Sequence, residues 1–329
     1  MAQKTRVMIL GTGRAVPEKI LTNADLEQMV DTSDEWIVAR TGIRQRHVAE
    51  PGSALSDLVT EAARKALDDA GLSADQIGLI VLATVTGDMK FPSTACLVQE
   101  KLGAKNAVAF DLSAACAGFL YGLQVAEGMM AVAGYKHALV IGGEMLTSMV
   151  DWQDRDTCVL FGDGAGAVVL GPSDGERGLL QTCLGSNGEH AGLLYNPGGG
   201  CVNPPNAETV AANLYAIRME GREVFRHAVV AMADVLQQAL VKQGLSGEDI
   251  DLLIPHQANL RIIEAVAKRF KLPMDKVCVN VDRYGNTSAA SIPIALDELR
   301  RGGELQPGTL IGMVSFGAGL TWAAALVRV

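Results

Sequence analysis

Residues 70–81 (AGLSADQIGLIV) return as residues 243–254 (QGLSGEDIDLLI), 173 positions later. Gly71, Leu72, Ser73, Ile77 and Leu79 match Gly244, Leu245, Ser246, Ile250 and Leu252. Each copy follows a helical pattern, over 53–70 and 223–243. In the first, Leu55, Leu58, Val59, Ala62, Ala66 and Leu67 form one apolar stripe. In each, Gly-Leu-Ser stops the helix and an apolar strand follows. The turn-rich stretch 171–178 (GPSDGERG) separates the copies. A chain built this way is read as two halves, 1–173 and 174–329. Each is an α/β unit with helices on both faces of its sheet. Two such halves on a pseudo-twofold axis predict five layers, αβαβα, with strand ends from both facing a common centre.

Three reactive side chains fall at matching places in the repeat. Cys116 lies in 106–123, where β-capable residues lead through small ones into a helical pattern. That places the thiol in the first turn of a helix after a buried strand. The positive end of a helix lowers a thiol's pKa, so a reactive thiolate is expected. His256 follows the strand 252–254 in Pro255-His-Gln-Ala-Asn259. Asn286 follows a strand expected at 277–281, in Tyr284-Gly-Asn-Thr-Ser288, within three residues of the Cys116 offset. Taken singly, Cys116 reads as a buried core thiol, His256 as a hydrogen-bonded core residue and Asn286 as a turn. Together they read as one site.

Composition narrows the function. The 329 residues are 49% hydrophobic, with a formal net charge of −9 and pI about 5.1, which argues against a nucleic-acid partner. No apolar run approaching the ~18 residues of a membrane span is read from the sequence. A first strand beginning almost at the N-terminus leaves no signal peptide. The six cysteines form no C-x-x-C pair, so neither a metal nor a disulfide framework is expected, and a cytoplasmic setting fits. Gly11-Thr-Gly13 lacks the third glycine and the helix of a dinucleotide loop. Gly162-Asp-Gly-Ala-Gly166 precedes a strand, so its glycines are read as permitting close packing beside the site. Arg261 and Lys268 are seven apart on the helical pattern after 255–259, with Arg269 beside them. On an acidic chain, this basic face suits an acidic partner.

Six segments together resemble the β-ketoacyl-acyl-carrier-protein synthase III family of bacterial type II fatty acid synthesis, within the thiolase-fold superfamily. They are 32–47 (TSDEWIVARTGIRQRH), 113–123 (SAACAGFLYGL), 161–170 (FGDGAGAVVL), 255–269 (PHQANLRIIEAVAKR), 284–291 (YGNTSAAS) and 315–322 (SFGAGLTW). The resemblance implies an acyltransferase that joins an acyl-CoA primer to malonyl-acyl-carrier protein with loss of CO2. Cys116 would carry the acyl group, and His256 and Asn286 would bind the malonyl thioester oxygen. The backbone N–H groups of Cys116 and Ala318 would form the oxyanion hole. Thr32, Trp36, Arg40, Arg155 and Asn259 would hold CoA. Arg261, Lys268 and Arg269 would meet the carrier protein, and Phe91 and Phe161 would wall the acyl pocket. The substrates would be CoA and phosphopantetheine thioesters, with no metal and no permanently bound cofactor. A homodimer is expected, its sheets joined through 106–113, with Phe91 reaching the partner's pocket. Ala323, often Gly in the family, and Arg222 near the CoA site depart from the pattern. The Gly/Pro-rich stretch 196–206 is expected over the pocket.

Rival readings fit less well. A thiolase would carry a second Cys in 315–322. A papain-like hydrolase would carry its own Cys signature near the N-terminus. A CoA-dependent polyketide-type condensing enzyme shares the three residues but not the basic helix. A non-catalytic partner subunit would be expected to lack the nucleophile.

Overall fold

The computed structural model describes residues 6–173 and 175–329. Residues 1–5, where the first strand was expected to begin, and Asp174, at the expected boundary, lie outside the described residues. The helix Leu55–Ala70 buries Leu55, Leu58, Val59, Ala62, Ala66 and Leu67, the stripe expected from spacing. Each fully buried Leu or Val there contributes about 1.5–3 kcal/mol. The helix stops at Gly71, whose φ of 64° favours a residue without Cβ. A capped 3-10 turn then leads into the strand, a detail missing from the sequence reading. Ser73 and Gln76 reciprocate across Ala74–Gln76, as Ser246 and Asp249 do across Gly247–Asp249.

The first sheet runs Val7–Ala15, Asp163–Pro172, Ala138–Met145, Leu79–Ala83, Val108–Leu112. Its last three strands are parallel, and the first two join antiparallel. The second sheet repeats the pattern as Gly178–Ser186, Thr321–Arg328, Leu310–Gly317, Leu252–Pro255. Leu252–Pro255 and Leu310–Gly317 are parallel, and the remaining pairings are antiparallel. The helices Gly118–Ala133 and Ser291–Arg301 each pack on strands of both sheets and form the middle layer. Leu55–Ala70 covers the outer face of the first sheet, and Gly221–Lys242 that of the second. These are the five layers expected. The repeat also reaches backbone detail: Ala115 at φ 45° and Ser288 at φ 48° open equivalent turns, 173 positions apart.

Two expectations are corrected. Residues 277–281 are not a strand; they keep one parallel bridge, Leu253 to Val277, and then enter the helical turn Val281–Tyr284. The buried amide of Gln257 explains this. Its Oε1 accepts from the N–H groups of Asn280 (2.9 Å) and Val281 (3.1 Å), replacing sheet partners. Asn286 therefore follows a helical turn. In addition, Ala115–Ala133 and Gly221–Lys242 are long and apolar enough to cross a membrane by length and composition. Both pack against sheets instead, with 50% and 39% of their most apolar stretches buried. The glycines of 162–166 do permit close packing: a Cβ on Gly162 would lie 2.4 Å from the Tyr284 carbonyl oxygen.

Candidate active site

Cys116, His256 and Asn286 line one cavity of about 800 Å³, together with Trp36, Arg40, Phe161, Asn259 and Arg261. Cys116 sits in the 3-10 turn Ala115–Ala117, just ahead of the helix Gly118–Ala133. The strand Leu310–Gly317 ends against this turn. Ser315 Oγ donates to the Cys116 carbonyl at 2.6 Å, and a Cβ on Gly317 would lie 2.6 Å from the Cys116 nitrogen. Glycine is required there because two backbones meet. Ala318 follows directly, and its carbonyl accepts from Thr321 Oγ1 at 3.1 Å. Thr321 Oγ1 also reaches the Ala114 carbonyl, tying this strand end to the Cys116 turn.

His256 leaves the strand Leu252–Pro255 with its N–H bonded to the Val314 carbonyl at 2.8 Å. Its Nδ1 lies 2.7 Å from Ser291 Oγ, which itself accepts from the Gln257 N–H at 3.4 Å. Ser291 can donate to Nδ1 or accept from it; the tautomer with hydrogen on Nε2 is the one in which Ser291 donates. Burial holds His256 well below its ordinary range, at about 3, so the ring is neutral at pH 7. Asn286 is fixed by backbone on both sides, its N–H to the Leu160 carbonyl and its carbonyl to the Gly162 N–H. The Ser288 N–H donates to its Oδ1 at 2.9 Å, leaving the amide NH2 to donate elsewhere.

The expected low-pKa thiolate is overturned. Cys116 keeps part of its surface open to the cavity, but protein surrounds it closely. Burial pushes the thiol up to about 12; the Ser288 hydroxyl eases this, and the nearby charge of Glu144 adds to it. Burial, the largest of these influences, outweighs the helix end.

The other expected residues divide. Trp36 and Arg40 share the helix Asp34–Thr41, with the Arg40 guanidinium 4.5 Å from the indole centre. Arg155 approaches the same ring at 5.1 Å and donates to the Asp31 carbonyl, so one Trp carries two cations. Neither Arg155 nor Thr32 lines the cavity; the Thr32 hydroxyl is buried with no protein partner. Asn259 caps the helix Leu260–Arg269 through the Arg261 N–H and donates to the Arg40 carbonyl. Lys268 and Arg269 are exposed and do not line the cavity, Arg269 being 3.8 Å from Asp234. Phe161 is buried in the wall, whereas Phe91 is 84% exposed and does not line this chain's cavity. Arg222 lines the cavity and Ala323 is buried in its strand. The flanks Leu194 and Met219 line the cavity, but no residue of 196–206 does. Among the described residues no three His, Cys, Asp or Glu side chains gather as a metal would require.

Sequence reasoning missed Ser288, Ser291, Ser315, Gln257 and Glu144. The first four lie inside quoted motifs, where their spacing to Asn286, His256 and Gly317 could have flagged them. Glu144 lies near the end of the strand Ala138–Met145 with no signal at all.

Comparison with known proteins places this arrangement. Residues 110–188 match the family described as 3-oxoacyl-[acyl-carrier-protein (ACP)] synthase III, and residues 240–329 match its C-terminal part. The β-ketoacyl-[acyl-carrier-protein] synthase III of Caldanaerobacter subterraneus is 55% identical over 328 residues, covering 100% of this chain and 99% of that protein. A Desulfitobacterium hafniense protein of the same name is 55% identical, covering 98% and 97%. The crystal structure of 3-oxoacyl-[acyl-carrier-protein] synthase III from Aquifex aeolicus superposes with a TM-score of 0.91 at 48% identity, covering 98% of this chain and 100% of that one. The chain belongs to the 3-oxoacyl-[acyl-carrier-protein] synthase III family.

Proposed function

We propose that this chain condenses an acyl-CoA primer with malonyl-acyl-carrier protein, releasing CO2 and giving the β-ketoacyl-carrier protein that begins fatty acid synthesis. The observation that carries this is the gathering of Cys116, His256 and Asn286, from both halves, on one cavity beside the Trp36–Arg40 pair. Full-length relatives at 55% identity bear the name of that activity.

Cys116 attacks the acyl-CoA carbonyl and keeps the acyl group as a thioester, since sulfur is the soft nucleophile this chemistry needs. The N–H groups of Cys116 and Ala318 bind the tetrahedral oxyanion. After CoA leaves, His256 Nε2–H and the Asn286 NH2 donate to the malonyl thioester oxygen. Loss of CO2 places enolate charge there, where two neutral donors strengthen without ionising. The carbanion attacks the acyl-cysteine and frees the thiolate. Phe161 walls the acyl end. Trp36, Arg40 and Arg155 offer a stacked, cationic platform for the adenine and phosphates of CoA; Thr32 and Asn259 support it. Arg261, Lys268 and Arg269 attract the acidic carrier.

Two further expectations remain part of this reading. The division into halves at 173/174 is supported by the repeat. A homodimer is supported by the edge strand Val108–Leu112, which pairs on one side only, and by exposed Val85, Met89, Phe91 and Val108 around it. Phe91 would enter the partner's cavity.

Incubation with acetyl-CoA and malonyl-carrier protein should yield CO2 and the acetoacetyl-carrier protein. Release of free acetate without a condensed product would overturn the reading in favour of a hydrolase.

A further inference from the structure

Glu144 is the buried acid that the condensation chemistry leaves unused. It is the penultimate residue of the strand Ala138–Met145 and is wholly buried. Its Oε2 accepts from Thr86 Oγ1 (2.6 Å), Thr84 Oγ1 (3.2 Å) and the Val85 N–H (3.1 Å). Its Oε1 accepts from Ser288 Oγ at 3.2 Å. Every partner donates, so the carboxylate form is the one this nest is built for. Among the described residues no cation pairs with it, and burial opposes the charge, lifting it to about 7. Ser288 adjoins both groups: its hydroxyl donates to Glu144 and eases the raised pKa of the Cys116 thiol. Ser288 is held at φ 48°, a strained backbone for a non-glycine residue, in the turn packed against that of Cys116.

Acylation must remove the thiol proton, and His256 is poorly placed to take it. Its Nδ1 is occupied by Ser291, and its burial disfavours the charged ring that taking the proton would create. A charged Glu144 disfavours a thiolate at Cys116, so a proton that leaves the thiol for Glu144 removes one negative charge as the other forms.

We propose that Glu144, acting through Ser288, is the proton acceptor of the acylation half-reaction and holds that proton until the thiolate is regenerated. The proposal rests on the acyl-cysteine reading above. The thiol proton passes to Ser288 Oγ as the Ser288 proton passes to Glu144 Oε1. A bond forms from the Cys116 sulfur to the acyl carbon, the bond from that carbon to the CoA sulfur breaks, and the CoA thiolate takes a proton from solvent. In the second half-reaction the malonyl carboxylate leaves as CO2, and the resulting carbanion displaces the Cys116 thiolate. That thiolate recovers its proton from Glu144 through Ser288. One solvent proton is consumed per turnover, and His256 stays a neutral donor throughout.

The test is single-turnover acylation by acetyl-CoA, followed by intact mass, in wild type, Glu144→Gln and Ser288→Ala. Both variants should acylate at least about 10²-fold more slowly at pH 7, as expected when a general base is lost. Malonyl decarboxylation should fall far less. The wild-type acylation rate should climb as pH rises through about 7, where Glu144 ionises, and this step should vanish in Glu144→Gln. Around Glu144, residues 84–86 and 288 present hydroxyls and an amide, and the titratable neighbour Cys116 is held up at about 12, so a step near 7 that is lost in Glu144→Gln reports Glu144. Folded Glu144→Gln or Ser288→Ala protein that acylates at the wild-type rate would overturn the relay, as would equal loss of decarboxylation. Wild type that takes no acetyl group would instead overturn the acyl-cysteine reading itself.

Discussion

Gly317→Ala measures how tightly the nucleophile is held. The added Cβ would lie 2.6 Å from the Cys116 nitrogen, 3.2 Å from the Ala117 nitrogen and 3.2 Å from the Ala115 Cβ, against the 3.4 Å where ordinary contact begins. The nearest neighbours are backbone, pinned by the Ser315–Cys116 and Thr321–Ala114 hydrogen bonds, so no flexible side chain can yield. The Cys116 turn must move by about 0.8 Å, the shortfall in the closest contact. Overpacking of this kind costs about 1–3 kcal/mol of stability. A displacement near 1 Å in a reacting constellation costs roughly 10²-fold in rate. Thermal melting should therefore show a folded, somewhat weakened protein, and acyl-enzyme formation from acetyl-CoA should drop by about two orders of magnitude. Gly128→Ala is the control: its Cβ would meet nothing within 4 Å on the helix Gly118–Ala133, so stability should rise by about 0.5–1 kcal/mol with normal acylation. Folded Gly317→Ala that acylates like wild type would refute the claim that this close approach sets the position of the thiol.

His256→Ala and Asn286→Ala should each cut malonyl decarboxylation by roughly 10²–10³, the usual loss for one oxyanion donor; carrier-bound CO2 release assays read this directly. Because burial holds His256 near 3, far below 6.5, its neutral form should persist as pH falls, and wild-type decarboxylation should show no loss centred near 6.5. Arg261→Glu, and more weakly Lys268→Glu, should raise the KM for malonyl-carrier protein. Acetyl-CoA acylation should be nearly unchanged in Lys268→Glu, and added salt should weaken the wild-type carrier interaction. Light scattering should find a dimer, and Phe91→Thr should admit longer or branched primers without dissolving it; a fully active monomer would contradict both.

The architecture was legible because the repeat is written in residue types with distinct physical jobs. Gly71 and Gly244 end helices, Ser73 and Ser246 cap the turns, and Ile77 and Ile250 are buried before each strand. The cavity residues were legible because Cys, His and Asn follow equivalent points of that repeat. Residues 277–281 misled because their apolar alternation fits a strand, while the competing partner, the Gln257 amide, comes from a segment 23 residues away. The electrostatics misled for a similar reason. A helix end is visible in sequence, but the burial of the thiol, the largest influence on it, and the approach of Glu144 and Ser288 exist only in the fold. Phe91 was assigned to a pocket wall, and within one chain it faces outward.

The central claim is that Cys116 itself carries the acyl group. Intact and peptide mass spectrometry after brief incubation with acetyl-CoA tests it most directly. The account predicts one acetyl group per chain, located on the peptide containing Cys116, absent from Cys116→Ala and discharged by malonyl-carrier protein. Acetyl retained by Cys116→Ala at wild-type stoichiometry, or an adduct on any of the other five cysteines, would contradict it.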